Sequence, residues 1–198
     1  PRVTAEFRNF HPGANFDVHV VDAARASQLV KEGSVDIALT FSLTPTQGVE
    51  VALSCDSPIS ALMPASHPLA SCESLAVQDL RDCPLALPYT GSTLRYLFDI
   101  ACHLQGINVV PAYTSQSLGT IYNVVRYSQD VIALCGTVTV LGATARDNLV
   151  LVPMSDPQLR QRSLQVQIMA GRKLPVLVRY FLSFLEEQLV TASRVTRD

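Results

Sequence analysis

The sequence predicts an α/β protein built from two open parallel sheets. Segments of strand character alternate with segments of helical periodicity along the whole chain. A proline-rich connector divides these segments into two βαβ sets, and the apolar content is high enough to give each set a core. The 198 residues include 48% hydrophobic and 16% charged residues, which excludes a disordered segment. The length accommodates one large domain or two lobes of roughly 100 residues each.

In order, residues 3–10 read as a helix ended by His11-Pro12-Gly13. Residues 16–21 (FDVHVV) alternate as a strand does, and Asp22 can cap a helix over 23–32 that stops at Gly33. Residues 35–41 (VDIALTF) are nearly continuous in apolar character, the pattern of a strand covered on both faces. Strand, helix and strand with short joins predict a right-handed parallel crossover. A loop over 42–48 leads to two further apolar runs, 49–53 and 59–63. Residues 64–70 (PASHPLA) carry two prolines within five residues, which excludes helix or central strand and predicts a connector.

Beyond the connector the alternation restarts with a short helix over 75–80 and a strand over 84–87. Tyr89-Thr90-Gly91-Ser92 forms a turn with a capping serine. A helix over 93–105 follows, with Leu94, Leu97, Phe98 and Ala101 on one face and Gly106 at its end. Residues 109–114 read as a strand, and Ser117 caps a helix to residue 128 with Leu118, Ile121, Tyr122 and Val125 as its stripe. A strand over 131–134, a loose segment with Gly136 and Gly142, and strands over 149–152 and 164–169 come next. A long helix over 175–190, opened by Pro175, closes the chain with Phe181, Leu182, Leu185 and Leu189 on one face.

Composition narrows the function classes. No apolar run reaches the ~18 residues of a spanning helix, and no secretory leader is evident, so a soluble, cytoplasmic protein without a membrane partner is expected. Net charge is −2 and pI about 6.1. The densest basic spot is only Arg160 with Arg162, which is not the stripe that duplex binding requires. Five cysteines, Cys55, Cys72, Cys83, Cys102 and Cys135, form no CxxC pair and read as structural thiols of a reducing compartment. The four histidines, His11, His19, His67 and His103, lie far apart with no metal-ligand spacing, so no metal and no cofactor is expected.

Catalytic motifs are missing as well. There is no nucleophile elbow, phosphate-binding loop or dinucleotide fingerprint, and Gly91-Ser92-Thr93 lacks the second glycine of an elbow. No catalytic residue is expected, and the protein reads as a binding module, not an enzyme. What stands out are polar helix starts: Asp22-Ala23, Thr90-Gly91-Ser92 and Gln116-Ser117 each sit where a strand hands over to a helix. In open parallel sheets ligands bind at the carboxyl ends of strands, and helix N-termini there present unpaired N–H groups and partial positive charge suited to an anion. Capping of their own helices is the other use these side chains can have.

The order of motifs resembles the effector-binding domain of LysR-type transcription regulators. The opening helix with Phe7 and His11-Pro12-Gly13 is similar to that family's first helix, and Leu29-Val30-Lys31-Glu32-Gly33-Ser34-Val35-Asp36-Ile37-Ala38-Leu39 to its "LxxGxLDxAL" signature. His67-Pro68-Leu69-Ala70 with Asp79-Leu80 and Pro84-Leu85 resembles "HPLA…DLxxxPLI", and Phe181-Leu182-Ser183-Phe184-Leu185 the closing "FxxFL" helix. The resemblance covers essentially the whole chain. It implies a type 2 periplasmic-binding-protein-like fold, with two Rossmann-like lobes joined by two hinge crossings. Lobe I would comprise 1–64 and 172–198, lacking the family's first strand, and lobe II 65–171. A small, anionic inducer would sit in the interlobe cleft against Asp22, Ala23, Thr40 and Phe41 on one side and Thr90, Ser92, Gln116 and Ser117 on the other. The resemblance further implies a homodimer or tetramer, and DNA contact only through a winged helix-turn-helix that is not in this chain. A periplasmic solute receptor and an enzyme of the same fold are the alternatives.

Overall fold

A computed structural model describes residues 2–41, 43, 46–140 and 143–195. The elements in chain order are α1 (Arg2–Phe10), α2 (Ala23–Lys31), β1 (Ala38–Thr40), β2 (Val49–Asp56), β3 (Ile59–Pro64) and β4 (Leu85–Pro88). Then come α3 (Thr93–Leu104), β5 (Tyr113–Ser115), α4 (Leu118–Tyr127), β6 (Ile132–Gly136), α5 (Thr137–Val140), β7 (Leu149–Pro153), α6 (Pro157–Arg160), β8 (Ser163–Met169) and α7 (Val176–Val195). Two 3-10 turns, Pro68–Ser71 and Val77–Leu80, lie between β3 and β4.

The chain divides into two compact units, one formed by Pro1–Cys55 with Leu164–Asp198 and the other by Asp56–Ser163. Both divisions fall earlier in the chain than the expected boundaries at 64/65 and 171/172. The reason is pairing: β3 is bonded on both sides within the second unit, to β6 and to β7, so residues 59–64 belong to that sheet, and β8 is bonded to β1, so residues 164–169 belong to the first.

The second unit holds a five-stranded sheet in the order β5-β4-β6-β3-β7. β4 runs parallel to β5 and to β6, with α3 and α4 as the crossovers, as the alternation predicts. β3 is antiparallel to its neighbours and buried along its whole length. One face of the sheet carries Ile59, Met63, Leu85, Leu87 and Leu134 against Leu94, Phe98 and Ala101 of α3; the other packs Leu62, Ala86 and Ala133 against Ile121 and Val125 of α4. Asp156 fastens the rim, accepting from the Val77 N–H at 2.9 Å and from Gln105. β5 is shorter than the expected 109–114, and Val110 is 85% exposed. The loose segment after β6 contains the single turn α5, while Gly142 lies outside the described residues. Pro68 opens a 3-10 turn within the expected connector, since its missing N–H costs nothing at the first helical position.

The first unit is built differently. Its sheet has three strands in the order β1-β8-β2, and β1 is antiparallel to β8, so the parallel crossover expected here does not exist. Residues 16–21, expected as a strand, take no regular structure and pair with no strand among the described residues. A strand is stable only when its N–H and C=O groups find a neighbour, and residues 16–21 join neither edge of this sheet. Val18 and Val20 consequently stand 68% and 88% exposed. Residues 35–41 yield only the three-residue β1, in which Leu39 faces outward, so this strand is not covered on both faces. The helices hold the unit together. Phe7 of α1 is buried in an aromatic cluster with Phe16, Phe181 and Phe184 at centroid distances of 6.1, 5.2 and 5.6 Å. Gly33 takes a φ of 71°, the left-handed conformation that ends α2, and Asp36 just beyond it pairs with Arg172 at 3.1 Å.

Candidate functional site

The parallel strands of the second unit fix a common edge. Register pairs Leu85 with Ile132 on one side of β4 and Pro88 with Ser115 on the other. Carried on to the strand ends, it sets Tyr89, Gln116 and Gly136 level with one another. Thr90 and Ser92 follow β4 at that edge, and Gln116 and Ser117 follow β5. All four residues expected from this half of the chain thus follow the ends of two neighbouring parallel strands.

Their local chemistry is specific. Ser92 Oγ accepts from the Arg95 N–H at 3.2 Å and caps α3; Ser117 Oγ accepts from the Thr120 N–H at 3.3 Å and caps α4. Each hydroxyl keeps its own proton to donate outward. Thr90 and Gln116 are exposed. Gly91 is required by the turn, because a Cβ there would come within 2.5 Å of the Tyr89 ring.

In the first unit, Asp22 Oδ1 accepts from the Arg25 N–H at 2.8 Å and caps α2, whose first residue is Ala23. Thr40 closes β1 opposite Gln165, followed by Phe41. Because a short connection returns β1 along α2, the Thr40 end of the strand and the Asp22 end of the helix lie at the same end of this unit. Thr40 is buried, and its Oγ1 has no hydrogen-bond partner among the described residues. A buried hydroxyl without a partner costs about 1–3 kcal/mol, so its persistence calls for an explanation.

Sequence reasoning missed a second polar group at the strand-end edge of the second unit. Gly136 ends β6 beside Ile59, and Ser57 lies just before β3. Arg162 follows α6, and its carbonyl accepts from the Ser57 N–H at 2.8 Å. A Cβ on Gly136 would lie 2.6 Å from Arg162 Nη1 and 2.9 Å from Ser57 Oγ. Ser60 and Thr137 exchange a hydroxyl contact of 2.9 Å alongside. Arg162 had shown only as half of a basic spot with Arg160, yet Arg160 is exposed and Arg162 is 7% exposed. Burial pulls its pKa down to about 10, with Cys135 acting in the opposite direction, so it remains a cation at neutral pH.

Other titratable groups are structural. Tyr122 donates to Asp147 at 2.7 Å, and Arg126 and Arg146 flank that carboxylate at 3.3 and 3.5 Å. Burial and this hydrogen bond push the tyrosine up to about 12, while the same bond heads the causes that hold Asp147 below the usual carboxylate range. Burial raises the thiols of Cys102 to about 11 and Cys135 to about 12, which disfavours the reactive thiolate. No disulfide joins the cysteines. Among the described residues no cluster of His, Cys, Asp or Glu could hold a metal, and no helix is long and apolar enough to cross a membrane.

Polar turns thus gather at the strand ends of the α/β sheet of the second unit. The comparisons with known proteins name the family: residues 1–190 match the LysR substrate binding domain, and the chain belongs to that family. It is 24% identical over 192 residues to a probable nitrogen assimilation transcriptional activator of Synechococcus elongatus, covering 96% of this chain and 62% of that protein. The chain thus spans less than two thirds of that relative's length. The CcmR regulatory domain of Synechocystis PCC6803, solved in complex with 2-PG, superposes with a TM-score of 0.69 at 19% identity, covering 97% of this chain and 90% of that one. The effector-binding domain of QuiR in complex with shikimate gives 0.68 at 15% identity, covering 98% and 90%. The chain is therefore a LysR-type effector-binding domain, and its family and relatives are transcriptional regulators, not enzymes.

Proposed function

We propose that this domain senses a small anionic metabolite and passes the occupancy of its site to the DNA-binding part of a LysR-type regulator, acting in the cytoplasm as a homodimer or tetramer. Thr90, Ser92, Gln116 and Ser117 are the candidate ligand contacts of the second unit; Asp22, Ala23, Thr40 and Phe41 are those of the first. One observation carries this reading: the ends of β4 and β5 come level, and each opens a capped helix whose first N–H groups and serine proton remain available to an anion. The unpartnered Thr40 Oγ1 supports it from the first unit. That the related CcmR and QuiR domains were solved with 2-PG and shikimate also supports a small-molecule effector.

Thermal denaturation of the complete regulator against shikimate, benzoate, 2-PG and sulfate tests the proposal. Ligand at ~100 times its dissociation constant adds about 2.7 kcal/mol and raises the melting temperature accordingly. Thr90→Val with Gln116→Ala, both at exposed sites, is expected to abolish that gain without moving the unliganded melting point. A flat response to every acid would defeat the anionic reading.

A further inference from the structure

In the first unit a short chain of buried side-chain hydrogen bonds joins the segments that carry the candidate ligand contacts. Ser27 Oγ of α2 donates to Gln167 Oε1 of β8 at 2.7 Å, and both residues are 1% exposed. Gln167 Nε2 in turn donates to Gln165 Oε1 at 3.0 Å. The two glutamines are two residues apart on one strand and so share a face. On β1 they stand opposite Ala38 and Thr40. The apolar grip on α2 is thin: of its nine residues only Ser27 and Val30 are buried, while Ala23, Ala26 and Leu29 are half-buried. Apolar contact is non-directional and leaves a short helix free to slide or turn on a three-stranded sheet. A hydrogen bond weakens steeply once its angle is lost, so the Ser27–Gln167 bond defines one placement of α2. Stability alone does not account for such a bond, because an apolar pair of the same shape would serve nearly as well.

We propose that Gln167 is a positioning residue for the candidate ligand contacts of the first unit. Through Ser27 it places the start of α2, where Asp22 and Ala23 stand, and through Gln165 it braces the end of β8 that lies opposite Thr40. The inference rests on reading those residues as ligand contacts and adds how they are held. Gln167 touches no ligand in this account. It acts by keeping a helix start and a strand end in one fixed relation, so that a ligand meets both without first ordering them. Such preorganisation is felt as affinity, because the cost of fixing the contacts has been met before the ligand arrives.

The test compares the complete regulator with a Ser27→Ala, Gln167→Met double variant, using benzoate, shikimate, 2-PG and sulfate as probes. Removing both partners of a buried bond in favour of apolar groups is expected to leave the unliganded melting temperature close to that of the wild type. The same variant is expected to bind the stabilising probe about tenfold more weakly, as if one ligand hydrogen bond had been lost to misplacement. Val30→Ala supplies the contrast: it loosens the apolar grip on α2 and lowers the melting temperature, but it keeps the directional bond and is expected to keep the affinity. In nitrogen-15 spectra the Ala23 amide resonance is expected to move with the probe in the wild type and to move less at saturation in the double variant. A double variant that binds the probe as tightly as the wild type would overturn this inference alone. So would a Val30→Ala variant that loses as much affinity as the double variant, since packing and not the bond would then place α2. No stabilisation of the wild type by any probe would overturn it together with the ligand reading on which it stands.

Discussion

The two units solve the same problem with unequal means. In the second, β3 is flanked by β6 and β7 and every one of its residues is buried, so its ladder is complete and both faces are packed. In the first, three strands carry the sheet, β1 has three residues, and Leu39, Val18 and Val20 stand in solvent. Its cohesion comes from the Phe7, Phe16, Phe181 and Phe184 cluster and from the buried Ser27–Gln167 hydrogen bond of 2.7 Å. Hydrophobic patterning alone therefore does not make a sheet. It needs a neighbour for each edge, and the second unit supplies that neighbour from within itself.

Leucine truncation sharpens this contrast most. Leu62→Ala in β3 is expected to cost about 2–5 kcal/mol, whereas Leu39→Ala in β1 is expected to stay within about 0.5 kcal/mol. Denaturant midpoints of the two variants measure the difference, and a large loss at Leu39 would break it by showing that β1 is covered in solution. Gly136→Ala comes next: its Cβ meets Arg162 and Ser57 at sub-contact distances, and overpacking of this kind costs about 1–3 kcal/mol by the same measurement.

Helix caps give a smaller effect that both units should share. Ser92→Ala and Asp22→Ala each remove a side-chain acceptor from a helix start, for an expected loss of about 1 kcal/mol apiece. If Asp22→Ala were silent, α2 would be held by packing alone.

The smallest effect is a pH dependence confined to the second unit. Asp147 has a lowered pKa, so its contribution is present above the ordinary carboxylate range and is lost as pH falls through the folded value. Tyr122 has a raised pKa, so its contribution is present below the ordinary tyrosine value and is lost as pH rises toward about 12. Tyr122→Phe is expected to flatten both arms of a stability–pH profile followed by denaturant midpoints.

Much of this molecule was legible in its residues. Periodicity placed α1 to α4, and Ser92, Ser117 and Asp22 were readable as caps because a cap is a local device of one side chain and an N–H three residues on. The four polar residues of the second unit could be assigned to one edge because parallel strands force their carboxyl ends together. Ser57 and Arg162 were not legible, since they are more than a hundred residues apart and meet only through the pairing of β3, β6 and β7. The strand expected at 16–21 failed for the complementary reason: alternation reports which face a strand would show, not whether another strand lies beside it.

By itself, then, the sequence determined the α/β class, the extents of α1 to α4 and the helix-capping turns, because these depend on interactions within a few residues of one another. Tertiary structure alone decided which strands found partners, that β1 runs antiparallel to β8, and that a guanidinium and a hydroxyl converge over Gly136. Burial and hydrogen-bond satisfaction are properties of assembled surfaces, and no single segment of chain contains the groups that complete them.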